Sequence, residues 1–487
     1  MTYYARDCEL VIGLVSPVGV NLEDVHNRLD SIFRQFRYEM NFIHLSEISK
    51  EIVESNTSST DELSRLDRTM QAGTELREKY NRGDFYALLA IDSISAKRAE
   101  SDNKTYPLKR HAHVIRSLKH VDEVETLRQV YGRGFFLLGV SASIESRKHY
   151  LKELKGVPEG KLERVIERDD KEKRGLGQQT RDVFQMADAF VNTDDSERLS
   201  NQLSRIIDLL FSKPVVPPTN EEYAMFMAYA ASLRSADLSR QVGAVITNKH
   251  SDIVSTGAND VPKFGGGLYW PTDSDQRDYV QGFDSNQREK NNIVENVLDC
   301  IKSSASIGDS NIDLDEVRVE LQKSRIMDLT EFGRAVHAEM ESLLQAARNG
   351  VSIRGATLYT TTFPCHNCAK HIVASGIKDV VFIEPYPKSY AQELHSDSIS
   401  ASGLQDDEKV AFRQFVGVGP RRFIDLFSMY LSSGRKLKRK SPDGVAQWNR
   451  NSAELRVPMT PLSYLEAEVL LVSELDEITN RGKHYET

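Results

Sequence analysis

The chain has 487 residues, room for two to four domains at about 100–200 residues each. A hydrophobic fraction of 39% still supplies a sizeable core over that length, and a formal net charge of -9 argues against a general nucleic-acid binder while allowing local basic patches. No apolar run nears the roughly 18 residues of a membrane span, Met1–Asp7 lacks the layout of a secretory signal, and four cysteines (Cys8, Cys300, Cys365, Cys368) cannot build a disulfide framework, so a cytoplasmic globular protein with no membrane partner is expected.

The first half alternates strand and helix patterns. Glu9–Val15 is a short apolar run that ends in a Ser16-Pro-Val-Gly19 turn, and Leu22, Val25, Leu29, Ile32 and Phe33 follow at helical spacing. Phe85–Ile91, His113–Leu118 and Phe135–Ser141 read as further buried strands, with a helix over Asp122–Tyr131. This is the rhythm of a parallel sheet covered by helices. The densely charged stretch Glu159–Gly175 reads as a solvated helix or loop.

Lys213-Pro-Val-Val-Pro-Pro-Thr-Asn is the clearest punctuation in the chain, since prolines cannot continue a helix. It divides a domain at 1–213 from one at 219–487. Beyond it, Glu221–Leu233 is a helix, expected to bury Tyr223, Phe226, Met227, Ala230 and Leu233. Gln241–Thr247 and Asp252–Asn259 form a strand pair, Gly282–Ser324 is a long polar stretch, and Phe332–Arg348 is helical. A strand at Ala356–Thr361, a helix at Cys368–Ser375 and a strand at Asp379–Glu384 complete one sheet with helices packed on it.

His337-Ala-Glu339 and Pro364-Cys365-His-Asn-Cys368 carry the chemistry. H-x-E followed by P-C-x-x-C is the signature of zinc-dependent nucleobase deaminases. One imidazole and two thiolates leave a fourth zinc position open for water, the catalytic arrangement, and a helix N-terminus at each ligand pair favours thiolate. Glu339, two residues from the ligand His337, is placed as the catalytic proton carrier. A structural zinc site needs a fourth protein ligand; His366 and His371 are the nearby candidates, but His366 lies inside the cysteine pair. A purely redox C-x-x-C leaves His337 and Glu339 unexplained.

Leu233–Ile246, Gly257-Ala-Asn259-Asp-Val-Pro, the His-x-Glu and the Pro-Cys-x-x-Cys together resemble the deoxycytidylate deaminase family over roughly Glu221–Tyr386. The resemblance implies that Asn259 contacts the nucleotide sugar and base, a role that suits an amide able both to donate and to accept. Over the full length, with Gly265-Gly-Gly-Leu-Tyr-Trp and Glu384-Pro-Tyr-Pro-Lys-Ser, the chain resembles bacterial anti-phage dCTP/dCMP deaminases. That implies a P-loop-kinase-like parallel α/β domain before a cytidine-deaminase-like α/β/α sandwich, one catalytic Zn2+ per chain, a deoxycytidine nucleotide substrate and a homo-oligomer. It also implies depletion of the nucleotide pool in antiviral defence and, as for some members, restraint by a small inhibitory RNA. Only Cys300 lies between Asn259 and His337 as a further ligand, so the second, structural zinc of some relatives is not expected. An insertion at about 262–325 reads as a lid or an oligomer contact.

The phosphate loop is degenerate. A working P-loop reads G-x-x-x-x-G-K-[ST]; here five residues separate Gly13 from Gly19, and Val20 and Asn21 replace the lysine and the hydroxyl residue. Gly13, Ser16 and Gly19 are the candidates for binding a regulatory nucleotide; the alternative is an ordinary strand-to-helix turn. Tyr386 and Lys388 are candidate substrate contacts beyond a strand. Arg435–Lys440, five cations in six residues, reads as a solvated loop or as a contact to RNA or to a triphosphate. Two readings compete with deamination of a free nucleotide: a deaminase of RNA or single-stranded DNA, and an RNA-binding regulatory scaffold that keeps the deaminase fold.

Overall fold

The computed structural model describes residues 7–52, 62–100, 107–170, 176–303, 313–384, 389–400 and 408–484. It divides into two compact units: Met1–Tyr223 together with Gln414–Thr487, and Ala224–Arg413.

The first unit is built on strands β1 (Leu10–Val15), β2 (Glu39–His44), β3 (His111–Arg116), β4 (Phe135–Ser141) and β5 (Ala189–Asn192). They lie in the order β5-β4-β1-β3-β2, all parallel. β1 and β4 are buried along their whole length, which is why they read as unbroken apolar runs, whereas the edge strand β2 fully buries Ile43 alone and was not expected. Helices Leu22–Gln35 and Ser196–Leu210 press Val25, Leu29, Phe33, Leu199 and Leu203 onto this sheet.

The second unit holds β6 (Gly243–Thr247), β7 (Ile253–Ala258), β8 (Thr357–Thr362), β9 (Asp379–Glu384), β10 (Ile399–Ser400) and β11 (Val410–Gln414), in the order β10-β11-β9-β8-β6-β7. β6 runs antiparallel to β7 and β8, and β8 parallel to β9. Two glycines let helices sit directly on the β6–β7 pair. A Cβ on Gly243 would lie 1.9 Å from the Ala228 carbonyl oxygen, and one on Gly257 2.0 Å from that of Ala338. Gly243 pairs with Ala258 and Gly257 with Ala244, so the two glycines face opposite sides of the sheet. Helices Asn220–Ser232 and Ala338–Arg348 therefore cover opposite faces, giving a layered α/β/α arrangement.

Four expectations need correction. Phe85–Ile91 is the start of a helix, Phe85–Ala99. All seven of those residues are buried, because helix Pro461–His484 covers the side turned away from the sheet, and a helix enclosed all round shows no 3.6-residue period. The second domain does not run on to residue 487. Gly417–Val418 (β12) adds an antiparallel strand beside β5, and Val418, Leu426, Phe427, Ala453 and Leu455 join the first unit's core. Helix Asn220–Ser232 buries Glu222, Ala224, Met225, Ala228 and Ser232, and leaves Tyr223, Tyr229 and the following Leu233 exposed. Lastly, the charged stretch from Glu159 is not merely solvated: helix Leu162–Asp170 buries Leu162, Val165 and Ile166 against Met70, Leu151 and Val157. Residues 171–175 lie outside the described residues.

Candidate active site

Two helix N-termini supply the metal ligands. His337 is the N-cap of helix Ala338–Arg348, and Cys365 is the N-cap of helix His366–Ala374, just beyond β8. Cys368 lies in the first turn of the latter and is buried, while His337 and Cys365 are half-buried. The His337 Nδ1 is 3.3 Å from the Sγ of Cys365 and 3.3 Å from the Sγ of Cys368, and the three ligand atoms lie within 4.8 Å of one another. A tetrahedral zinc with its usual bond lengths separates nitrogen from sulfur by roughly 3.5 Å. One nitrogen and two sulfurs, at two helix N-termini, thus fit zinc in geometry and in softness. His366 and His371 do not join them: His366 Nε2 is 3.6 Å from Glu331, and His371 Nδ1 is 2.6 Å from the Asn367 carbonyl.

Glu339 is 4% exposed, with Oε2 3.5 Å from the Sγ of Cys368. Burial and the nearby Cys365 sulfur push its carboxyl above the ordinary range, the direction that suits a group exchanging protons near neutrality. A hydrogen bond from Cys368, reinforced by the His337 imidazole, holds the Cys365 thiol down at about 4 against the opposing effect of burial.

A cavity of about 180 Å³ opens over the ligands. Asn259 lies in its wall, at the end of β7, but its side chain also has an internal task. Its Oδ1 accepts from the Val242 N–H at 2.6 Å, and its Nδ2 donates to the Arg240 carbonyl at 2.8 Å. One lone pair and one N–H of the amide are left beyond those bonds. The insertion contributes Arg277, Asp278, Asp284 and Asn286 to the same wall. Arg277 is locked by Asp260 at 3.1 Å and by Asp275.

Sequence reasoning missed Arg240 and Arg334, cations in the cavity wall. Arg240 sits in the family-like segment Leu233–Ile246, so its signal was present without a role being drawn from it. Arg334 pairs with Asp278 at 2.8 Å, a contact that no spacing reveals. Tyr386 and Lys388 lie outside the described residues; Ser389 donates from Oγ to the Pro364 carbonyl at 2.7 Å.

In the first unit, Gly13 lies within β1 rather than in the loop. A Cβ there would meet Leu118 and Phe135 side chains at 2.6 and 2.8 Å, so packing explains this glycine. Ser16 and Gly19 do line a cavity, of about 510 Å³, and Gly19 has a φ of +88°. Asn21 caps the following helix, accepting from the Glu23 N–H. In the basic run, Arg435 pairs with Glu454 and Arg439 donates to the Pro214 carbonyl, while Lys436, Lys438 and Lys440 are exposed.

The site and its layered fold define a zinc-dependent deaminase of the cytidine type. Residues 218–384 match the family model "Cytidine and deoxycytidylate deaminase zinc-binding region". The deoxycytidylate deaminase of Enterobacteria phage T2 is 37% identical over 165 residues, covering 34% of this chain and 79% of the phage enzyme. The phage T4 deoxycytidylate deaminase is 37% identical over 167 residues, 34% of this chain and 77% of its own length. The Homo sapiens deoxycytidylate deaminase is 26% identical over 219 residues, 45% of this chain and 91% of its own length. The chain belongs to the deoxycytidylate deaminase family and is a cytosine-nucleotide deaminase.

Proposed function

We propose that this protein deaminates free deoxycytidine nucleotides, dCTP and/or dCMP, to dUTP and dUMP respectively. The observation that carries the reading is Glu339 buried against the ligand Cys368 at the floor of a small, walled cavity. Held by His337, Cys365 and Cys368, a zinc ion would supply a water of lowered pKa as the nucleophile for C4 of cytosine. Glu339 takes one proton from the attacking water and delivers it to the ring nitrogen, then takes a second from the hydroxyl that the attack leaves on C4 and passes it to the amine, which departs as ammonia. Asn259, held by the backbone of Arg240–Val242, offers its remaining donor and acceptor to sugar and base. Arg240 and Arg334, with Tyr386 and Lys388, are the groups we assign to the phosphate end. A cavity walled by the segment after helix Asn220–Ser232, by the insertion and by residues 330–339 suits a single nucleotide better than a continuous strand.

Ammonia release from dCMP, dCTP, cytidine and a single-stranded oligonucleotide tests this. Turnover of the oligonucleotide alone would replace the reading with polynucleotide editing; zinc binding with no turnover of any of the four would leave a scaffold.

The wider reading is a defence enzyme that drains the deoxycytidine pool during infection, with a P-loop-like first unit in a regulatory role. It rests on the full-length resemblance. Exposed Tyr229, Leu233 and Leu238 support a homo-oligomer, and exposed Lys436, Lys438 and Lys440 support contact with a small inhibitory RNA. Phage challenge of cells carrying wild type or Glu339→Gln tests the defence: equal protection by both would sever it from deamination.

A further inference from the structure

The turn between β1 and helix Leu22–Gln35 already holds an oxyanion, and the chain supplies it. The Val18 N–H donates to Asp169 Oδ2 at 2.7 Å, and Lys119 Nζ reaches Asp169 Oδ1 at 2.7 Å and the Ser16 carbonyl at 2.7 Å. Thr180 Oγ1 adds a longer bond at 3.4 Å. Asp169 is 1% exposed and comes from the far end of helix Leu162–Asp170. A backbone N–H and an ammonium converging on one carboxylate are the components of an anion cradle.

The cradle opens on the 510 Å³ cavity, a volume within the range of small-molecule sites. The cavity wall sets four cations, Arg77, Arg116, Lys119 and Lys155, against the carboxylates of Glu23, Glu47 and Asp169. Arg77 is 3% exposed; its Nε and Nη2 bond Glu123, but its buried Nη1 has no hydrogen-bond partner among the described residues. A buried guanidinium N–H left unmatched is costly, and an incoming acceptor removes that cost. Arg116 and Lys155 add cations, and Tyr86 and Tyr150 add aromatic walls. Among the described residues Arg116 is held by Glu23 at 3.4 Å and by His44 at 3.4 Å.

We propose that this cavity binds the phosphoryl groups of a small phosphorylated ligand, gripped by Lys119, Arg116 and Arg77, and that Asp169 is its built-in competitor. The ligand displaces the Asp169 carboxylate from Val18 and Lys119, and helix Leu162–Asp170 is released from the turn as it does so. This deepens the reading of the first unit as a sensing part, and needs no phosphoryl transfer, since Val20 and Asn21 provide neither the lysine nor the hydroxyl of a working loop. A nucleotide and an inorganic polyphosphate present the same chemistry to these cations.

Calorimetric titration of the full-length protein with inorganic tripolyphosphate and, separately, with ATP tests the proposal, with the thermal melt of each variant as a check on folding. Asp169→Asn, which neutralises the competitor, tightens binding about tenfold, and Arg116→Glu weakens it at least about tenfold. Tighter binding of ATP than of tripolyphosphate identifies a nucleotide as the source; equal binding identifies a polyphosphate. Unchanged affinity in Arg116→Glu, or no binding by a folded Asp169→Asn, overturns the site. Should Asp169→Asn fail to fold, Arg116→Glu decides alone. The deaminase rate with and without tripolyphosphate is read separately, so binding that leaves the rate unaltered removes the regulatory reading and keeps the site.

Discussion

The Glu339 carboxylate lies 3.5 Å from the Sγ of Cys368, a metal ligand one helix away. That contact puts the proposed proton carrier beside the coordination sphere without making it a ligand, because His337, Cys365 and Cys368 already supply the nitrogen and two sulfurs. The acid–base group and the metal can therefore be lost separately.

Glu339→Gln keeps nearly the same shape and should keep stoichiometric zinc. Its turnover should fall by about 10²–10⁴-fold, the range for one general acid–base group. Metal analysis beside an ammonia assay checks both halves. Wild-type turnover would remove Glu339 from the mechanism.

Cys365→Ala should lose metal and activity together. Cys365 is the N-cap ligand of its helix, and two remaining ligands do not hold zinc in a stable tetrahedral site. A fully zinc-loaded variant would contradict the ligand assignment, as would activity that survives dialysis against a chelator.

Asn259→Ala should leave zinc bound and lower kcat/KM for deoxycytidine nucleotides. Its amide pins Val242 and Arg240, so part of the loss should come from a loosened cavity wall. Asn259→Asp keeps the acceptor for Val242 N–H and loses the donor to the Arg240 carbonyl. It should therefore recover part of the stability of Asn259→Ala and little of its kcat/KM.

The clustering of His337, Cys365 and Cys368 with Glu339 beside them was legible because H-x-E and P-C-x-x-C fix residue type and spacing within two short segments. The central strands were legible because full burial leaves an unbroken apolar run. What was not legible is long-range. The pairing of Arg334 with Asp278, the task of Arg240 in the cavity wall and the return of β12 to the first sheet depend on partners far apart in sequence. Helix Phe85–Ala99 failed for a related reason: burial on every side erased the period that would have marked it. The apolar positions Leu162, Val165, Ile166 and the buried Asp169 do keep helical spacing, but the surrounding charge masked them.

The first unit should lose stability in acid through Glu9. Glu9 is fully buried and bonds Arg98 Nε at 2.9 Å, Tyr464 at 2.8 Å and His113 at 3.4 Å. Burial alone would raise its carboxyl, but the hydrogen bonds from His113 and Arg98 outweigh it and hold the group at about 2. A carboxyl lowered on folding contributes stability that is fully present above its unfolded value of about 4.3 and lost as pH falls through the folded value. Glu9→Gln should cost about 3 kcal/mol or more near neutrality, since it leaves Arg98 short of a partner. The gap between wild type and variant in urea melts should shrink steadily from about pH 4.5 down to pH 2. A gap that does not vary over that window would refute the assignment.

Gly257 tests whether the fold positions the chemistry. It stands in β7 two residues before Asn259, and a Cβ added there would lie 2.0 Å from the Ala338 carbonyl oxygen and 2.6 Å from the Ser342 nitrogen. Those are backbone atoms of the helix whose N-terminus carries His337 and Glu339, so no rotamer change relieves the clash and the helix itself must move. Ala338 lies between the two functional residues. A shift of about 1 Å at a reacting group can cost on the order of 100-fold in rate, and overpacking typically costs about 1–3 kcal/mol. Gly257→Ala should therefore bind zinc more weakly, turn over more slowly and melt earlier, although it alters neither a ligand nor a proton carrier. Gly160→Ala is the control, because a Cβ there meets nothing within 4 Å and its φ is not in the left-handed region. Equal zinc affinity and kcat in the two variants would show that helix Ala338–Arg348 can slide on the sheet without disturbing the site.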